Sequence, residues 1–180
     1  RDVTGIAFDR DGQLMLGHKG GITFFKPDGT VGQTVTSSNM SAFFVDDQGR
    51  IVIAREGTLV AGRAEAIAFA GLNSDGEMRA VDDITSVLMN DQGERIIANP
   101  KGRTVIRAMP NGRFVSVFAT GNIERMAQNW VGDIAMIDRS SRTVLIADRD
   151  GKVVSKIPAK GTGYEFGDPT DIAFDLLGHV

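Results

Sequence analysis

The 180-residue sequence contains no cysteine, only five prolines and two histidines, and no excess of basic residues. The absence of cysteine excludes disulfides, thiol nucleophiles and cysteine-ligated zinc or iron–sulfur sites. A formal net charge of -3 argues against a general nucleic-acid-binding protein, which normally carries a basic excess. No apolar run approaches the roughly 18 residues that a membrane-spanning helix requires. We therefore expect neither nucleic-acid binding nor a membrane span.

Glycine, by contrast, is abundant, and it marks an internal repeat. The phrase DVTGIAFDRDG at 2–12 returns as NMSAFFVDDQG at 39–49, DITSVLMNDQG at 83–93, NIERMAQNWVG at 122–132 and DPTDIAFDLLG at 168–178. The final glycines of these five phrases are 37, 44, 39 and 46 residues apart. A period of about 40 residues indicates a repeat architecture.

Each copy of the phrase contains the chemistry of a tight turn. Three residues before the glycine stands an Asp or Asn, at Asp9, Asp46, Asn90, Asn129 and Asp175. Such a side chain can accept a hydrogen bond from the backbone two residues on, and glycine takes a backbone angle that other residues resist. An apolar triplet precedes the turn, broken only by Gln128, and a second apolar run follows it. This pattern predicts two short, buried strands around the turn.

The second half of each copy predicts two more strands. Copies three and four align without a gap, with Asn111-Gly112 over Asp150-Gly151 as a hairpin turn, and copy one has Asp28-Gly29 there. In copy one the predicted strands cover 3–8, 13–17, 21–25 and 30–35. Copy two is irregular, because 57–70 runs on and the turn comes later, within 73–81.

Four antiparallel strands in about 40 residues describe one blade of a β-propeller. A β-sandwich and an open β-solenoid are the alternatives, but a sandwich would not keep the Asp/Asn and Gly columns in register, and solenoid coils repeat at shorter periods. The sequence therefore predicts an all-β, single-domain propeller with blades at 2–38, 39–82, 83–121 and 122–167, and the start of a fifth at 168–180. Both ends begin a repeat with the same strand, so we expect a segment of a longer, six-bladed propeller.

The repeat resembles the NHL-repeat propellers and the six-bladed TolB-like group. The phrases DPTDIAFDLLGHV and VTGIAFDRDGQLML are good matches to their pattern, and DQGRIVIAR is a fair one. The chain departs from the pattern where His18, Arg55 and Asn99 replace the usual strand-end Asp, which only Asp138 keeps. The resemblance covers the whole chain but implies the fold alone.

A second Asp/Asn column precedes the innermost strand of each copy. It consists of Asp2, Asn39, Asp83, Asn122 and Asp168. One interpretation is a set of caps that tie the loops between blades. The other is a ring of oxygen ligands for a hard cation such as calcium near the mouth of the central channel. Lactonase-like members of the group that the chain resembles hold such a metal with Glu, Asn and Asp, but no adjoining sequence of theirs is recognisable here, so no ligand is carried over.

Other polar groups give no catalytic site. The two DRDG stretches, at 9–12 and 148–151, lack the later ligands of a calcium loop and are predicted to be turns. His18 and His179 lie in different repeat columns without neighbouring ligands, so we assign no catalytic or cofactor-binding residue. Trp130 stands at a turn tip, where it either packs on Val131 or a neighbouring loop, or is exposed and anchors a partner.

These observations favour a non-enzymatic binding or scaffolding propeller within a larger protein, with a protein partner or a small ligand. The alternative is a metal-dependent, lactonase-like hydrolase or lyase that uses the Asp/Asn ring. Fold cannot decide between them, because propellers serve both purposes. Removing neighbouring blades from a propeller uncovers apolar faces, so if these residues stand alone we expect self-association through the edge blades.

Overall fold

The computed structural model describes residues 3–9, 11–46, 48–62 and 65–180. This part of the chain contains strands and turns but no helix, and hence no helix that could cross a membrane. Its main elements are four four-stranded antiparallel sheets, each with its strands in sequence order. The sheets are arranged as the blades of a β-propeller, as the repeat predicted.

The first two blades and an added hairpin come from the first 80 residues. Blade one consists of β1 (Val3–Phe8), β2 (Leu14–His18), β3 (Gly21–Phe25) and β4 (Val31–Thr36). Blade two consists of β5 (Met40–Val45), β6 (Ile51–Arg55), β7 (Thr58–Ala61) and β8 (Ile67–Ala68). A separate hairpin follows, made of β9 (Ala70–Leu72) and β10 (Met78–Ala80). The predicted strands of blade one are confirmed to within one residue.

The third and fourth blades are regular. Blade three consists of β11 (Ser86–Met89), β12 (Arg95–Asn99), β13 (Thr104–Ala108) and β14 (Phe114–Thr120). Blade four consists of β15 (Ile123–Gln128), β16 (Ile134–Asp138), β17 (Thr143–Ala147) and β18 (Val153–Pro158). A small hairpin follows, made of β19 (Lys160–Gly161) and β20 (Tyr164–Glu165).

The irregularity of copy two has a packing role. The later turn that the sequence predicted closes the β9–β10 hairpin, where the Gly76 amide donates to the Asn73 carbonyl. Gly71 of β9 approaches blade three so closely that a Cβ there would lie 2.8 Å from Ile106 Cγ2. The hairpin, a sheet separate from blade two, therefore packs against blade three.

The apolar cores lie between adjacent blades. One cluster joins Met15, Ile22 and Phe24 of blade one to Met40 of blade two. Two larger clusters join blade two to blade three and blade three to blade four. Because each blade completes its core with its neighbour, the innermost strands β1, β5, β11 and β15 are held side by side around a central cavity of about 830 Å³.

The fifth copy of the repeat forms its turn but no sheet. The Asp175 amide donates to the His179 carbonyl, and the Gly178 amide donates to the Asp175 carbonyl. Residues 168–174 form no strand, since a strand requires a hydrogen-bonded neighbour, but Thr170–Ala173 line the central cavity beside the innermost strands. That the blades belong to a larger, six-bladed propeller stays a prediction, as does self-association through the edge blades.

Candidate functional site

The hairpins divide the loops of the propeller between two faces. The first turn of each blade, between its first and second strands, and the third turn, between its third and fourth strands, lie on one face, which we call the turn face. The second turn and the links between blades lie on the opposite face, which we call the link face. Trp130 belongs to the turn face, whereas Asn39, Asp83, Asn122 and Asp168 belong to the link face. The two sets of candidate residues therefore cannot form one site.

The Asp/Asn column of the first turns adopts one geometry throughout. In every copy the side-chain Oδ1 accepts hydrogen bonds from the backbone amides two and four residues on, at 2.7–3.1 Å. The following glycines have φ between 75° and 96°. Asp148 bonds in the same way in the third turn of blade four. The turn interpretation of this column and of the DRDG stretches is confirmed.

The residues of the link-face column make different local contacts, and the side chain of Asp83 makes no hydrogen bond or ion pair with the described residues. The side-chain Nδ2 of Asn39 donates a hydrogen bond to Glu56 Oε1 at 2.8 Å, and Asp168 Oδ1 lies 3.2 Å from Arg142 Nε. In blade four the strand-end Asp138 accepts a hydrogen bond from the backbone amide of Asn122 at 3.2 Å. Asp2 lies outside the described residues. In the ranges that the structure describes, no group of three or more His, Asp or Glu side chains is placed to hold a metal ion, so the ring of ligands stays a prediction.

Asp138 accepts several hydrogen bonds on the link face of blade four. Burial acts to raise the pKa of its carboxyl, but the hydroxyls of Ser140 and Ser141 and the backbone amides of Ser140 and Asn122 outweigh that effect and hold the pKa below its ordinary value. The carboxylate thus closes the turn between β16 and β17 and fixes the link from blade three. This is a structural role for the one strand-end Asp that the repeat keeps.

Both histidines make local contacts. In His18 the ring Nδ1 accepts a hydrogen bond from the Gly20 amide at 3.1 Å, and Nε2 lies 3.0 Å from Thr23 Oγ1. His179 Nδ1 lies 2.9 Å from Asp175 Oδ2 on an exposed turn. The first histidine braces a second turn on the link face and the second braces a first turn on the turn face, so the two do not meet.

A cleft of about 470 Å³ opens on the turn face between blades three and four. Its walls are the first turns of both blades and the third turn of blade four, and Arg107 projects into it from β13. Trp130 lies at the cleft with 81% of its surface exposed. The packing interpretation of Trp130 is therefore wrong and the exposed alternative describes its environment, while its role as an anchor for a partner stays a prediction.

Three residues at this cleft break the internal repeat. Gln128 occupies a position that is Phe8, Val45, Met89 and Phe174 in the other copies. Arg107 occupies a position that is Phe24 in blade one and Ile146 in blade four. Trp130 replaces residues that are charged in the first three copies and Leu176 in the fifth. The three departures converge on one recess, although they come from different strands and turns.

The guanidinium of Arg107 is held in place from three sides. It stacks over the Phe118 ring at 5.6 Å from the centroid, its Nε lies 3.6 Å from Glu94 Oε2, and its Nη2 donates to the Arg149 carbonyl at 3.3 Å. Arg149 in turn donates from Nη2 to the Val131 carbonyl at 3.2 Å. These contacts join blade three to both turns of blade four, so the cleft is preformed.

The floor of the cleft is apolar and its walls are polar. Ile96 and Ile134, both buried, lie at its base. Asn90 and Asn129 are committed to their own turns, because Oδ1 accepts two backbone amides and Nδ2 donates to Glu94 and Asp133 respectively. Within the described ranges, the side chains of Gln128, Gln92 and Asp91 make no intramolecular hydrogen bond, and all three line the cleft. The side chains of Asp150 and Trp130 at the cleft likewise make none within those ranges, so these five are the lining groups free to bind a ligand.

Sequence reasoning found Trp130 but did not find its neighbours. The signal for Gln128 was present, since it is the one polar residue in the apolar triplets. Arg107 could have been found by laying copy three over copy four, where it aligns with Ile146. The sequence does not show that Gln128, Arg107 and Trp130 face one another across the boundary between blades three and four.

No protein-family profile matches the chain, and no curated protein matches it by sequence. Solved structures do match it. A gluconolactonase of Xanthomonas campestris superimposes with a TM-score of 0.73 at 17% identity, over 97% of this chain and 67% of that one. A streptogramin B lyase superimposes with a TM-score of 0.65 at 10% identity, over 96% of this chain and 73% of that one. These likenesses show the fold.

A third likeness is to the dihydro-heme d1 dehydrogenase NirN, with a TM-score of 0.59 at 18% identity over 87% of this chain and 37% of that one. The propeller predicted from the repeats is thus confirmed, and several of the similar structures are enzymes. At these identities the likeness extends to no activity. The narrower assignment to NHL repeats and to six blades stays a prediction.

Proposed function

We propose that this chain is a non-enzymatic binding propeller and that the cleft between blades three and four is its binding site. The observation that carries the proposal is the convergence of Gln128, Arg107 and Trp130. In a repeat protein each position has internal counterparts, so a residue that serves only the fold should resemble them. Three departures that meet in one recess indicate a requirement other than packing.

The physical character of the cleft supports binding. Its volume lies within the roughly 300–1,000 Å³ of ordinary ligand sites, with an apolar floor and a few fixed polar groups. An exposed tryptophan offers a large apolar face at small cost in conformational entropy, and such residues dominate binding energies at interfaces. The contacts of Arg107 and Arg149 hold the walls before any ligand arrives, which lowers the cost of ordering them.

The test is retention of a specific protein or ligand on the immobilised protein, compared among three forms. Trp130→Ala removes the exposed indole, and Leu176→Ala removes an exposed side chain from the same position of the fifth copy. We expect a bound species that the wild type and Leu176→Ala retain and Trp130→Ala loses. If all three forms retain the bound species equally, binding takes place elsewhere and the proposal is refuted.

A second candidate is a metal-dependent hydrolase or lyase that uses the link-face column. Two observations favour it: Asn39, Asp83, Asn122 and Asp168 recur at one repeat position on one face, and proteins of similar fold include a lyase and a gluconolactonase. Elemental analysis of the purified protein separates the candidates. Stoichiometric calcium or zinc that is lost on Asp83→Ala would favour the enzyme, whereas Trp130-dependent binding without bound metal favours the binding module.

A further inference from the structure

We infer that the ligand of the cleft is a neutral, hydroxyl-rich molecule, a saccharide. The inference rests on the proposed function, because it names the ligand class of the same site. Three features of the described residues carry it: the balance of charge, the type of free hydrogen-bonding group, and the pairing of an indole with polar walls.

The lining of the cleft carries both signs of charge equally. Its cations are Arg107 and Arg149, and its anions are Asp91 and Asp150. A phosphate would meet these two carboxylates beside the two guanidinium groups, and a cation would meet the guanidinium groups beside the carboxylates. Because the charges of the lining balance, neither an anion nor a cation gains a net attraction, and the cleft suits a ligand without net charge.

The free groups suit hydroxyls. A hydroxyl both donates and accepts hydrogen bonds, and a carboxamide such as that of Gln128 or Gln92 also does both. The carboxylate of Asp91 accepts, and the guanidinium of Arg149 donates beyond its bond to the Val131 carbonyl. A wall of planar groups with mixed donor and acceptor character matches a row of neighbouring hydroxyls better than it matches a single charged head group.

Trp130 and Gln128 complete the match. A pyranose ring presents C–H groups on its faces and hydroxyls at its edge, and an indole presents an apolar face with one N–H donor at its edge. The exposed indole can therefore cover a sugar face while wall groups bind the edge. Gln128 supplies an amide where the other four copies have an apolar residue, and no intramolecular hydrogen bond within the described ranges occupies it.

The sole tryptophan of the chain makes the test direct. Its fluorescence reports on the cleft alone, so glucose, galactose, mannose, N-acetylglucosamine and their oligomers can be titrated while emission is followed. We expect a saturable change with at least one sugar. Gln128→Met, which installs the blade-three residue, should weaken that binding about tenfold by calorimetry, as expected for loss of a hydrogen bond to the ligand. Leu176→Ala, the matched control, should leave it unchanged.

The failures of the two proposals are distinguishable. If no sugar on a glycan array or in titration binds, and a peptide or protein is retained through Trp130, the saccharide inference is overturned and the binding site stands. A sugar response that Gln128→Met leaves intact also overturns the inference, because the amide would then be unused. Retention of partners independent of Trp130 overturns the proposed function itself. Circular dichroism of each variant confirms that the fold is retained.

Discussion

Blade one and the two blades that follow the hairpin share a sequence pattern but differ in burial. In blade three every residue of β12 is buried, and in blade four only the last residue of β16 is not. In blade one, β2 alternates between buried and half-buried residues, and β1 contains no fully buried side chain in the described part of the chain. A blade of this length therefore does not make its own core and depends on its neighbour for burial.

One repeat position shows this directly. Ile6 is 65% exposed, whereas its counterparts Val87 and Met126 are 7% and 8% exposed. All three are apolar, and all three occupy the same place in an innermost strand. Their environments differ because a preceding blade covers Val87 and Met126. The apolar identity of the position is thus a property of the repeat, and its burial is a property of the neighbour.

The largest expected effect on stability comes from substitutions at this repeat position. Met126→Ala should lower the free energy of unfolding by about 2–5 kcal/mol, because it leaves a cavity between blades three and four. Ile6→Ala, at the equivalent exposed position, should lower the free energy of unfolding by no more than about 0.5–1 kcal/mol. Urea denaturation followed by circular dichroism measures both. Equal losses would show that Ile6 is covered in solution, and that the two blades are not different.

The next effect concerns the junction between blades one and two. The ring of Phe43 packs onto Gly17, where a Cβ would lie 2.6 Å from Phe43 Cε1 and 2.9 Å from Thr4 Oγ1. Gly17→Ala should therefore cost about 1–3 kcal/mol through overpacking, and the cost should shrink when Phe43→Leu is combined with it. Gly167→Ala, which would place its Cβ more than 4 Å from any neighbour, is the control and should change the unfolding midpoint little. A full cost that survives Phe43→Leu would contradict this account of the junction.

The turns and the blades were predictable because their causes are local. An Asp or Asn that binds amides two and four residues on, followed by glycine at positive φ, needs no information from elsewhere in the chain. The cleft has a different origin, since Arg107 and Trp130 are brought together by the packing of one blade on another. The link-face column shows the same limit: its shared position was predictable, but the partners Glu56 and Arg142 were not.

A third expected effect is on the pH dependence of stability. It distinguishes the first turn of blade two from the first turns of blades three and four. Burial acts to raise the pKa of Asp46, but the Arg50 amide and guanidinium and the Gln48 amide outweigh it, so the pKa lies below its ordinary value. A lowered folded-state pKa stabilises the protein above the unfolded value of about 3.9, and the stabilisation is lost as pH falls through the folded value. Asn90 and Asn129 make the same amide contacts without titrating.

Asp46→Asn should therefore flatten the pH dependence. Between neutral pH and about pH 3 the wild type should lose more of its unfolding free energy than the variant does. At neutral pH the variant should be the less stable of the two, because the ion pair of Asp46 with Arg50 is lost. Urea midpoints measured across this range check both statements. Parallel curves for the two proteins would mean that Asp46 is protonated at the same pH folded and unfolded.

The smallest expected effects on stability fall at the cleft, and there their sign is informative. Trp130→Ala should change the free energy of unfolding by no more than about 0.5 kcal/mol, because the side chain is almost wholly exposed. Gln128→Met should raise it by a few tenths to about 1 kcal/mol, since it restores an apolar residue at a half-buried position where the amide has no partner. Thermal and urea unfolding measure both changes. A residue that lowers stability and raises affinity serves a ligand, so a stabilising Gln128→Met that also weakens binding would assign this position to function, whereas a destabilising one would return it to the fold.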